Sequence, residues 1–511
     1  MHRRRKLGWD LGWDLGWSLG QKLLKYGFIV LLTLAIVIGG RSPALALTPR
    51  HYTDLQLPPA PELKIPSFTR FELANGIKVF LLEDHELPLI GGSALINTGE
   101  RLEPLDKVGL ASIVGNVMRS GGTKSHPAEA LNLALEQRAA SVETGINTTS
   151  GVASFIALTE DLDEVWGLFT EVLRQPAFPQ DKIDLAKTQI QGAIARRNDN
   201  PEEIAGREFQ KLIYGAESPY ARTVEYATLE NISRRDVLSF YQQYFQPHNI
   251  LLGIVGDFDS ANMKSLITAK LGDWKDGNLA DGGQPDKAAP AAPPDLSTIA
   301  QAQSGGVFLV NQPQLTQSSV LIGHLGGKLD DPDYAALSIL NEVMNGLGGR
   351  LVNTVRSRQA LAYSVYAYWS PQFDFPGTFV AGGQTRSSTT VPFIQSTLAE
   401  IEKVRDRPIT EAELTRAKDS VLNAFIFRFA TPSQTLGRFM NYEYYGYPPD
   451  FIFRYQKAVE AMTIADIQRA AQTNLKPNQL VTLVVGNAAD MQPSLTTLEA
   501  EGKVTELEVT P

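Results

Sequence analysis

Two pairs of segments repeat along the chain, and this repeat limits the folds that the chain can adopt. The segment QPHNILLGIVGDFD (Gln246–Asp259) resembles KPNQLVTLVVGNAAD (Lys476–Asp490), with prolines and glycines that match at an offset of 230 positions. The segment LASIVGNVM (Leu110–Met118) resembles ALSILNEVM (Ala336–Met344) at an offset of 226. Two matched pairs at nearly one offset predict a duplicated domain.

The stretch between the repeats predicts a linker. DGNLADGGQPDKAAPAAPPD (276–295) is rich in glycine, alanine and proline, a composition that does not support regular structure. The predicted organisation is a signal segment (1–46), an N-terminal extension (47–66), a first domain (67–275), the linker (276–302), a second domain (303–495) and a C-terminal tail (496–511).

The N-terminal residues are typical of an export signal. A basic start, MHRRRK, precedes the uncharged apolar run YGFIVLLTLAIVIGG, and the small-x-small triplet Ala44-Leu45-Ala46 follows. We expect cleavage after Ala46 and a periplasmic or other extracytoplasmic location. The alternative is an uncleaved anchor, and only then is contact with a membrane expected.

Composition excludes some classes of site. The 511 residues include no cysteine, so disulfides and thiolate metal sites are excluded. The formal net charge of −9, without a basic arm, argues against a nucleic-acid partner.

Strand and helix patterns occur in blocks rather than in strict alternation, which favours an α+β architecture. Asn75-Gly76 lies between two alternating segments and predicts a β-hairpin with a two-residue turn. Helical patterns run from about Leu105 to Arg119, Pro127 to Ala140, Leu162 to Leu173, Asp181 to Arg197, Pro201 to Tyr214 and Ser233 to Tyr244.

These segments together resemble one family. LANGIKVFLLEDHELPLIGGSALINTGERLEP, GLASIVGNVMRSGGT and ARRNDNPEEIAGREFQKLIYGAESPYAR resemble, in that order, the N-terminal domain of the pitrilysin/insulinase-type zinc peptidases, which include the mitochondrial processing peptidase. LNEVMNGLGGRLVNTVRSRQALAYSVYAYWSP resembles the family's C-terminal domain. The resemblance implies two homologous tandem domains, each a mostly antiparallel sheet covered by helices on one side.

The family's zinc motif is absent from this sequence. That motif is His-x-x-Glu-His on a helix, which places two imidazoles on one helical face with a glutamate that deprotonates the metal-bound water. Its positions fall on Ser112, Gly115 and Asn116, and the third ligand's place falls near Ala193. These degenerate positions predict no catalytic residue and no zinc in this chain.

The six histidines do not suggest a replacement site. They are His2, His51, His85, His126, His248 and His324, and no two are close enough in sequence to share a helical face. Convergence of distant histidines is the remaining alternative. His126 and His248 adjoin prolines and are expected in turns.

The second half retains a candidate substrate-binding pair. Arg356 and Tyr363 are seven positions apart, which would place them two turns apart on one helical stripe if the helix extends that far. In the resembled family an arginine and a tyrosine at this spacing are implicated in holding substrate, and by resemblance Arg356 and Tyr363 match them. The alternatives are a surface ion pair for Arg356 and the use of Arg358 instead.

Two further segments have structural interpretations. NGLGGRL (Asn345–Leu351) predicts a helix C-cap and a tight turn rather than a phosphate loop, because it lacks the Lys-Ser/Thr step. The aromatic segment MNYEYYGYPPDFIFRY (Met440–Tyr455) predicts a packed helix-turn element, with an interface as the alternative.

The sequence therefore predicts an exported, non-catalytic subunit of a zinc metallopeptidase. It would bind peptide and close a chamber against a zinc-bearing relative, as in paired members of the resembled family. The alternatives are a structural scaffold derived from the peptidase fold and a peptidase with an unconventional metal site.

Overall fold

The computed structural model describes residues 66–275, 299–346, 348–498 and 503–510. The predicted export signal, nearly all of the N-terminal extension and most of the linker lie outside these residues. Within them, no helix combines the length and the apolar character needed to cross a membrane.

The first half alternates between blocks of strands and blocks of helices. Its strands are β1 (Thr69–Glu72), β2 (Lys78–Glu83), β3 (Leu89–Ile96), β4 (Ser141–Ile146), β5 (Gly151–Leu158) and β6 (Ile250–Gly256). Its helices are α1 (Leu110–Ser120), α2 (Ala128–Glu136), α3 (Leu162–Arg174), α4 (Gln180–Arg196), α5 (Pro201–Tyr214), α6 (Tyr226–Glu230), α7 (Arg234–Tyr244) and α8 (Ser260–Leu271).

The second half repeats this organisation. Its strands are β7 (Gly306–Asn311), β8 (Gln317–Leu325), β9 (Ala362–Ser370), β10 (Thr378–Arg386), β11 (Val481–Gly486) and β12 (Val504–Glu506). Its helices are α9 (Tyr334–Met344), a π-helix (Val352–Arg358), α10 (Thr390–Asp406), α11 (Glu411–Phe425), α12 (Pro432–Tyr445), α13 (Phe451–Ala461) and α14 (Ile464–Asn474).

The strand orders confirm the duplicated α+β fold. The first sheet has the order β1-β2-β6-β3-β5-β4 and the second has β12-β7-β11-β8-β10-β9. From the second strand onward the two orders are equivalent. Most neighbouring strands are antiparallel, whereas β2 and β6, β7 and β11, and β12 and β7 are parallel. The edge strand β12 comes from the segment predicted as a C-terminal tail.

The predicted hairpin forms, but its loop is longer than two residues. The Leu73 N–H donates to the Ile77 carbonyl at 2.9 Å, which leaves three residues in the loop, and Gly76 has a φ of 90°. The Asn75 side chain donates to the carbonyl of Leu271, the last residue of α8, and to that of Trp274, three residues further on. Because Asn75 is held there, Gly76 alone supplies the left-handed residue that closes the turn.

Each sheet is covered on one face by helices of its own half and on the other by a helix from the opposite half. Helix α5 packs on the second sheet, where Phe209 is 2% exposed. Helix α12 packs on the first sheet through Leu436 and Met440. The sequence located α5 correctly but gave no indication that it packs against the other half.

Glycines in central strands permit this exchange. A Cβ at Gly323 on β8 would lie 2.9 Å from the Phe209 ring, and a Cβ at Gly253 on β6 would overlap the Met440 sulfur. Both exchanged helices begin with proline after a capping side chain, Asn200 for α5 and Thr431 for α12. The reciprocal packing buries both faces of the central strands and joins the halves.

We expect truncation of this contact to destabilise the whole chain. Phe209→Ala should lower the free energy of unfolding by about 3 to 5 kcal/mol, because it removes a buried ring from a site that cannot collapse onto β-strand backbone. Glu203→Ala, at an exposed position on the same helix, should change it by less than about 0.5 kcal/mol. Urea unfolding measures both, and equal effects would contradict the assigned contact.

Candidate functional site

A buried carboxylate caps the helix that holds the degenerate metal positions. Helix α1 begins after Gly109, whose φ of 104° favours glycine. The Glu103 Oε2 atom accepts hydrogen bonds from the N–H groups of Gly109 at 2.5 Å and Leu110 at 3.2 Å. Glu103 is 2% exposed, so the N-terminus of α1 is anchored inside the first half.

Gly115 brings the backbone of α1 into direct contact with strand β4. A Cβ at residue 115 would lie 2.6 Å from the Ile146 nitrogen and 2.8 Å from the Gly145 carbonyl carbon. The Thr144 hydroxyl donates to the Gly115 carbonyl at 2.6 Å, which holds the two backbones together. The position that the family pattern gives to the catalytic glutamate therefore has no space for a side chain.

The remaining metal positions do not fit zinc either. Ser112 is half-buried, Asn116 is exposed on the same helix, and Ala193 is exposed on α4. Zinc in proteins is held by histidine, cysteine or carboxylate groups, and these three side chains supply none. Across the described ranges, no group of three His, Cys, Asp or Glu residues could hold a metal ion.

The histidines that the structure describes have structural contacts. His85 and His126 pair with Asp257 at 2.7 Å and Glu171 at 2.8 Å, and His248 lies in a 3-10 turn. The His324 ring is buried between the Leu325 carbonyl and the Lys476 N–H, and this burial lowers its pKa to about 4. Convergence of these side chains on one ion is not observed. His2 and His51 lie outside the described residues.

Ser112 lines a cavity of about 220 Å³ together with Glu100, Glu103, Tyr220 and Arg222. The Arg222 guanidinium donates to the carbonyls of Glu100 at 2.6 Å and Glu103 at 2.9 Å. Burial raises the pKa of Glu103 to about 7 and also raises the pKa of Glu100. The first degenerate position thus opens onto a polar interior with carboxyl groups committed to backbone and hydroxyl partners.

Arg356 and Tyr363 are adjacent in space, although not on the predicted helical stripe. The guanidinium of Arg356 lies over the Tyr363 ring, 5.3 Å from its centroid. Arg356 belongs to the π-helix, whereas Tyr363 is on strand β9. The helix does not extend as far as Tyr363, the condition on which a shared stripe depended, because Ala360 adopts a left-handed φ of 52° and ends the helix before the tyrosine.

A β-bulge explains the exposure of Tyr363. The pairing of β9 with β10 shifts register, so that Ser364 faces Gln384 while Ala362 faces Thr385. Tyr363 is the extra residue between them and is 83% exposed. Bulges redirect a side chain away from the alternation of its strand, and here the bulge directs a phenol outward beside a guanidinium.

Asn341 in α9 and Asn345 directly after this helix cover part of the free edge of β9. Asn345 donates to the Ala367 carbonyl at 2.6 Å and accepts from the Ala367 N–H at 2.9 Å. Asn341 makes the same two bonds with Trp369, at 3.0 and 2.7 Å. These side chains imitate a neighbouring strand and occupy groups that an edge strand otherwise offers to another chain. The sequence analysis missed these contacts, and the Asn-x-x-x-Asn spacing at the end of an apolar helix is the pattern that could have indicated them.

The aromatic segment Met440–Tyr455 packs within the chain. The Tyr444 hydroxyl donates to the Thr149 carbonyl, and the Tyr445 hydroxyl pairs with the Thr149 hydroxyl, both at 2.8 Å. The Tyr445 ring stacks on Phe373 with centroids 4.5 Å apart. The segment therefore joins the end of α12 to the β4–β5 hairpin of the first half.

A matched pair of helical glycines tests the packing of α1. Gly115→Ala should lower the free energy of unfolding by about 1 to 3 kcal/mol, because the added methyl meets strand backbone. Gly192→Ala on α4, where no described atom beyond the adjoining residues and backbone of the helix itself lies within 4 Å of the new methyl, should raise it by about 0.5 to 1 kcal/mol. Chemical unfolding measures both, and a neutral Gly115→Ala variant would show that residue 115 has room for a side chain.

Glu103 should make stability depend on pH. The folded chain binds its proton more tightly than the unfolded chain does, since its pKa rises from 4.5 to about 7. Its contribution is fully present below about pH 4.5 and is lost as the pH rises through about 7. Relative to Glu103→Gln, the wild type should lose on the order of 3 kcal/mol between pH 4.5 and pH 8. Parallel pH profiles of the two unfolding free energies would refute this assignment.

Two models of one peptidase family match successive parts of the chain. The family described as "Insulinase (Peptidase family M16)" matches residues 92–224, and "Peptidase M16 inactive domain" matches residues 231–421. A "non-peptidase homolog" YmxG of Helicobacter pylori is 24% identical over 422 residues, covering 80% of this chain and 92% of that protein. An "uncharacterized zinc protease" of Mycobacterium leprae is 25% identical over 381 residues, covering 72% of this chain and 80% of that protein.

Solved structures share the fold. A peptidase M16 inactive domain from Pseudomonas fluorescens superposes with a TM-score of 0.70 at 23% identity, covering 84% of this chain and 100% of that chain. The periplasmic protease PqqL of Escherichia coli superposes with a TM-score of 0.66 at 16% identity, covering 84% of this chain and 47% of that chain. With the matched strand orders and both domain matches, this chain belongs to the insulinase family of peptidases, peptidase family M16.

Proposed function

We propose that this chain is an exported, non-catalytic subunit that pairs with a zinc-bearing relative and holds peptide substrate through Arg356 and Tyr363. The zinc belongs to the partner, and this chain closes the chamber against it. The observation that carries the proposal is the contact of Gly115 with β4, because it removes the space for the catalytic glutamate in a chain that keeps the peptidase fold.

The absence of suitable ligands at Ser112, Asn116 and Ala193 supports a non-catalytic role. The relative from Helicobacter pylori described as a non-peptidase homolog is consistent with it. A family member without zinc ligands contributes to hydrolysis only by binding substrate or by completing an assembly.

The geometry of Arg356 and Tyr363 supports substrate binding. A guanidinium has several fixed donors and a phenol has one, so the pair can donate to successive carbonyl groups of a peptide. The contact between the guanidinium and the ring restrains both side chains before the peptide arrives. Such contacts position a peptide backbone without selecting its side chains, which favours broad specificity.

The asparagine contacts on β9 favour a peptide that pairs with the partner rather than with this chain. Asn341 and Asn345 already occupy the backbone groups of Trp369 and Ala367. An extended peptide would therefore join a sheet edge of the zinc-bearing subunit, while Arg356 and Tyr363 hold its other side.

Reconstitution tests the proposal. The native protein is purified with its accompanying His-x-x-Glu-His subunit, and peptide hydrolysis is measured for wild type and for Arg356→Ala/Tyr363→Phe. We expect the KM to rise by about tenfold or more, since hydrogen bonds to charged groups contribute about 1.5 to 3 kcal/mol. Assembly with the partner should be unchanged.

The control is Arg196→Ala/Tyr226→Phe, which removes an exposed arginine and the hydroxyl of a tyrosine that is 39% exposed, both in the first half. It should leave the KM unchanged. A scaffold role predicts instead that the assembly containing the Arg356/Tyr363 variant hydrolyses peptide with the same KM as the wild-type assembly. That result would overturn the substrate-binding role.

A further inference from the structure

A basic pocket lies in the second half, although the chain carries a formal net charge of −9. It is formed by the π-helix, the end of α10 and the start of α11, and has a volume of about 480 Å³. The cations that line it are Arg350, Arg358, Lys403, Arg407 and Arg416, and the acids are Glu400 and Glu413. The side chains of the pocket therefore carry a net charge of about +3.

Both acidic side chains of the pocket already form an ion pair with one of its basic side chains. The Arg350 guanidinium donates two hydrogen bonds of 2.7 and 2.9 Å to the Glu413 carboxylate. This guanidinium lowers the pKa of Glu413 to about 2. Glu400, 4% exposed, pairs with Lys403 at 2.6 Å. Neither carboxylate forms an ion pair with Arg358, Arg407 or Arg416.

Three guanidinium groups remain without an acid. Arg358, Arg407 and Arg416 are exposed and form no ion pair among the residues that the structure describes. Positive charges that line one pocket repel one another. Their clustering around one concave surface is therefore unfavourable unless an anion offsets it.

Gly348 leaves space for the guanidinium of Arg416. A Cβ at this residue would lie 3.0 Å from the Nε atom and 3.2 Å from the Cζ atom of Arg416. The glycine therefore lets the guanidinium lie against the backbone at the mouth of the pocket. The sequence pattern did not favour a phosphate loop in this segment, and the cations that line the pocket are side chains of the surrounding helices and turns.

We infer that this pocket binds a small anion with several phosphate groups, either free or as a lipid headgroup. Guanidinium forks match the geometry of phosphate oxygens and give charge-assisted hydrogen bonds. The volume lies in the range of small-molecule pockets, about 300 to 1,000 Å³, rather than that of a flat protein interface. Arg356, which the proposed function uses, does not line this pocket, so the two proposals stand independently.

Binding of inorganic tripolyphosphate to the full chain tests the inference by calorimetry at low salt. We expect Arg407→Gln/Arg416→Gln to bind tripolyphosphate with an affinity at least about tenfold lower than that of the wild type, because two charge-assisted contacts are lost. Arg196→Gln/Lys457→Gln makes the same change of charge at exposed positions outside the pocket and should bind within about twofold of the wild type.

Two further comparisons separate the source of the phosphate and guard against misfolding. Sedimentation that depends on Arg407 and Arg416, and that occurs with vesicles of cardiolipin, whose headgroup carries two phosphates, but not with vesicles of phosphatidylcholine, would identify a lipid headgroup. Tripolyphosphate binding without such sedimentation would identify a free polyanion, and both results support the site. Gly348→Ala keeps every charge but places a methyl group 3.0 Å from the Arg416 Nε atom. We expect it to shift this guanidinium and to weaken binding, which provides the test if the double variant unfolds.

Three outcomes would overturn the inference. The first is equal tripolyphosphate affinity for the pocket variant and the wild type. The second is an equal loss in the control variant, which would show only a response to net charge. The third is binding of a hexaglutamate peptide but not of tripolyphosphate, which would indicate an acidic protein segment as the ligand.

Discussion

The backbone contact between α1 and β4 at Gly115 determines how the first half can function. Because no Cβ separates the helix from the strand, α1 lies closer to the sheet edge than a helix with a glutamate at this position could. The Glu103 cap at the start of α1 and the Thr144 bond to the Gly115 carbonyl hold it there. Replacing Ser112 and Asn116 with histidine would therefore not be enough to build the family's motif, because position 115 would still have no space for a glutamate.

The two halves cover the backbone of their equivalent edge strands, β4 and β9, in different ways. In the first half, α1 packs its backbone against β4, and Arg119 donates to the Val142 carbonyl. In the second half, α9 uses Asn341 and Asn345 to bond both backbone groups of two β9 residues. The bulge at Tyr363 lies beyond these asparagines on the same strand. The second half thus leaves exposed the part of β9 that carries Tyr363 of the candidate substrate-binding pair.

Much of the fold was predictable because it depends on local patterns and on the repeat. The offset of about 230 residues predicted equivalent halves, and the strand orders confirm them. Helical periodicity located α5 to within a residue at each end. The exchange of α5 and α12 was not predictable, because periodicity shows that a helix has an apolar face and not which sheet receives it. The reason for glycine at positions 253 and 323 can be recognised only from those long-range contacts.

The candidate site was predictable in its residues and not in its geometry. Spacing suggested that Arg356 and Tyr363 share a helix, but the left-handed Ala360 and a register shift place them on different elements. Neither feature has a sequence signal, since alanine rarely adopts a positive φ and a bulge depends on the opposing strand. Their substrate-binding role remains a prediction, whereas their proximity is observed.

Metal analysis of the purified full chain tests the central claim most directly. After incubation with zinc and removal of the excess, the chain should retain far less than one zinc ion per molecule, and a chelator should not change its thermal unfolding. Retention of one zinc ion per chain, together with chelator-sensitive peptide cleavage by the chain alone, would contradict the account.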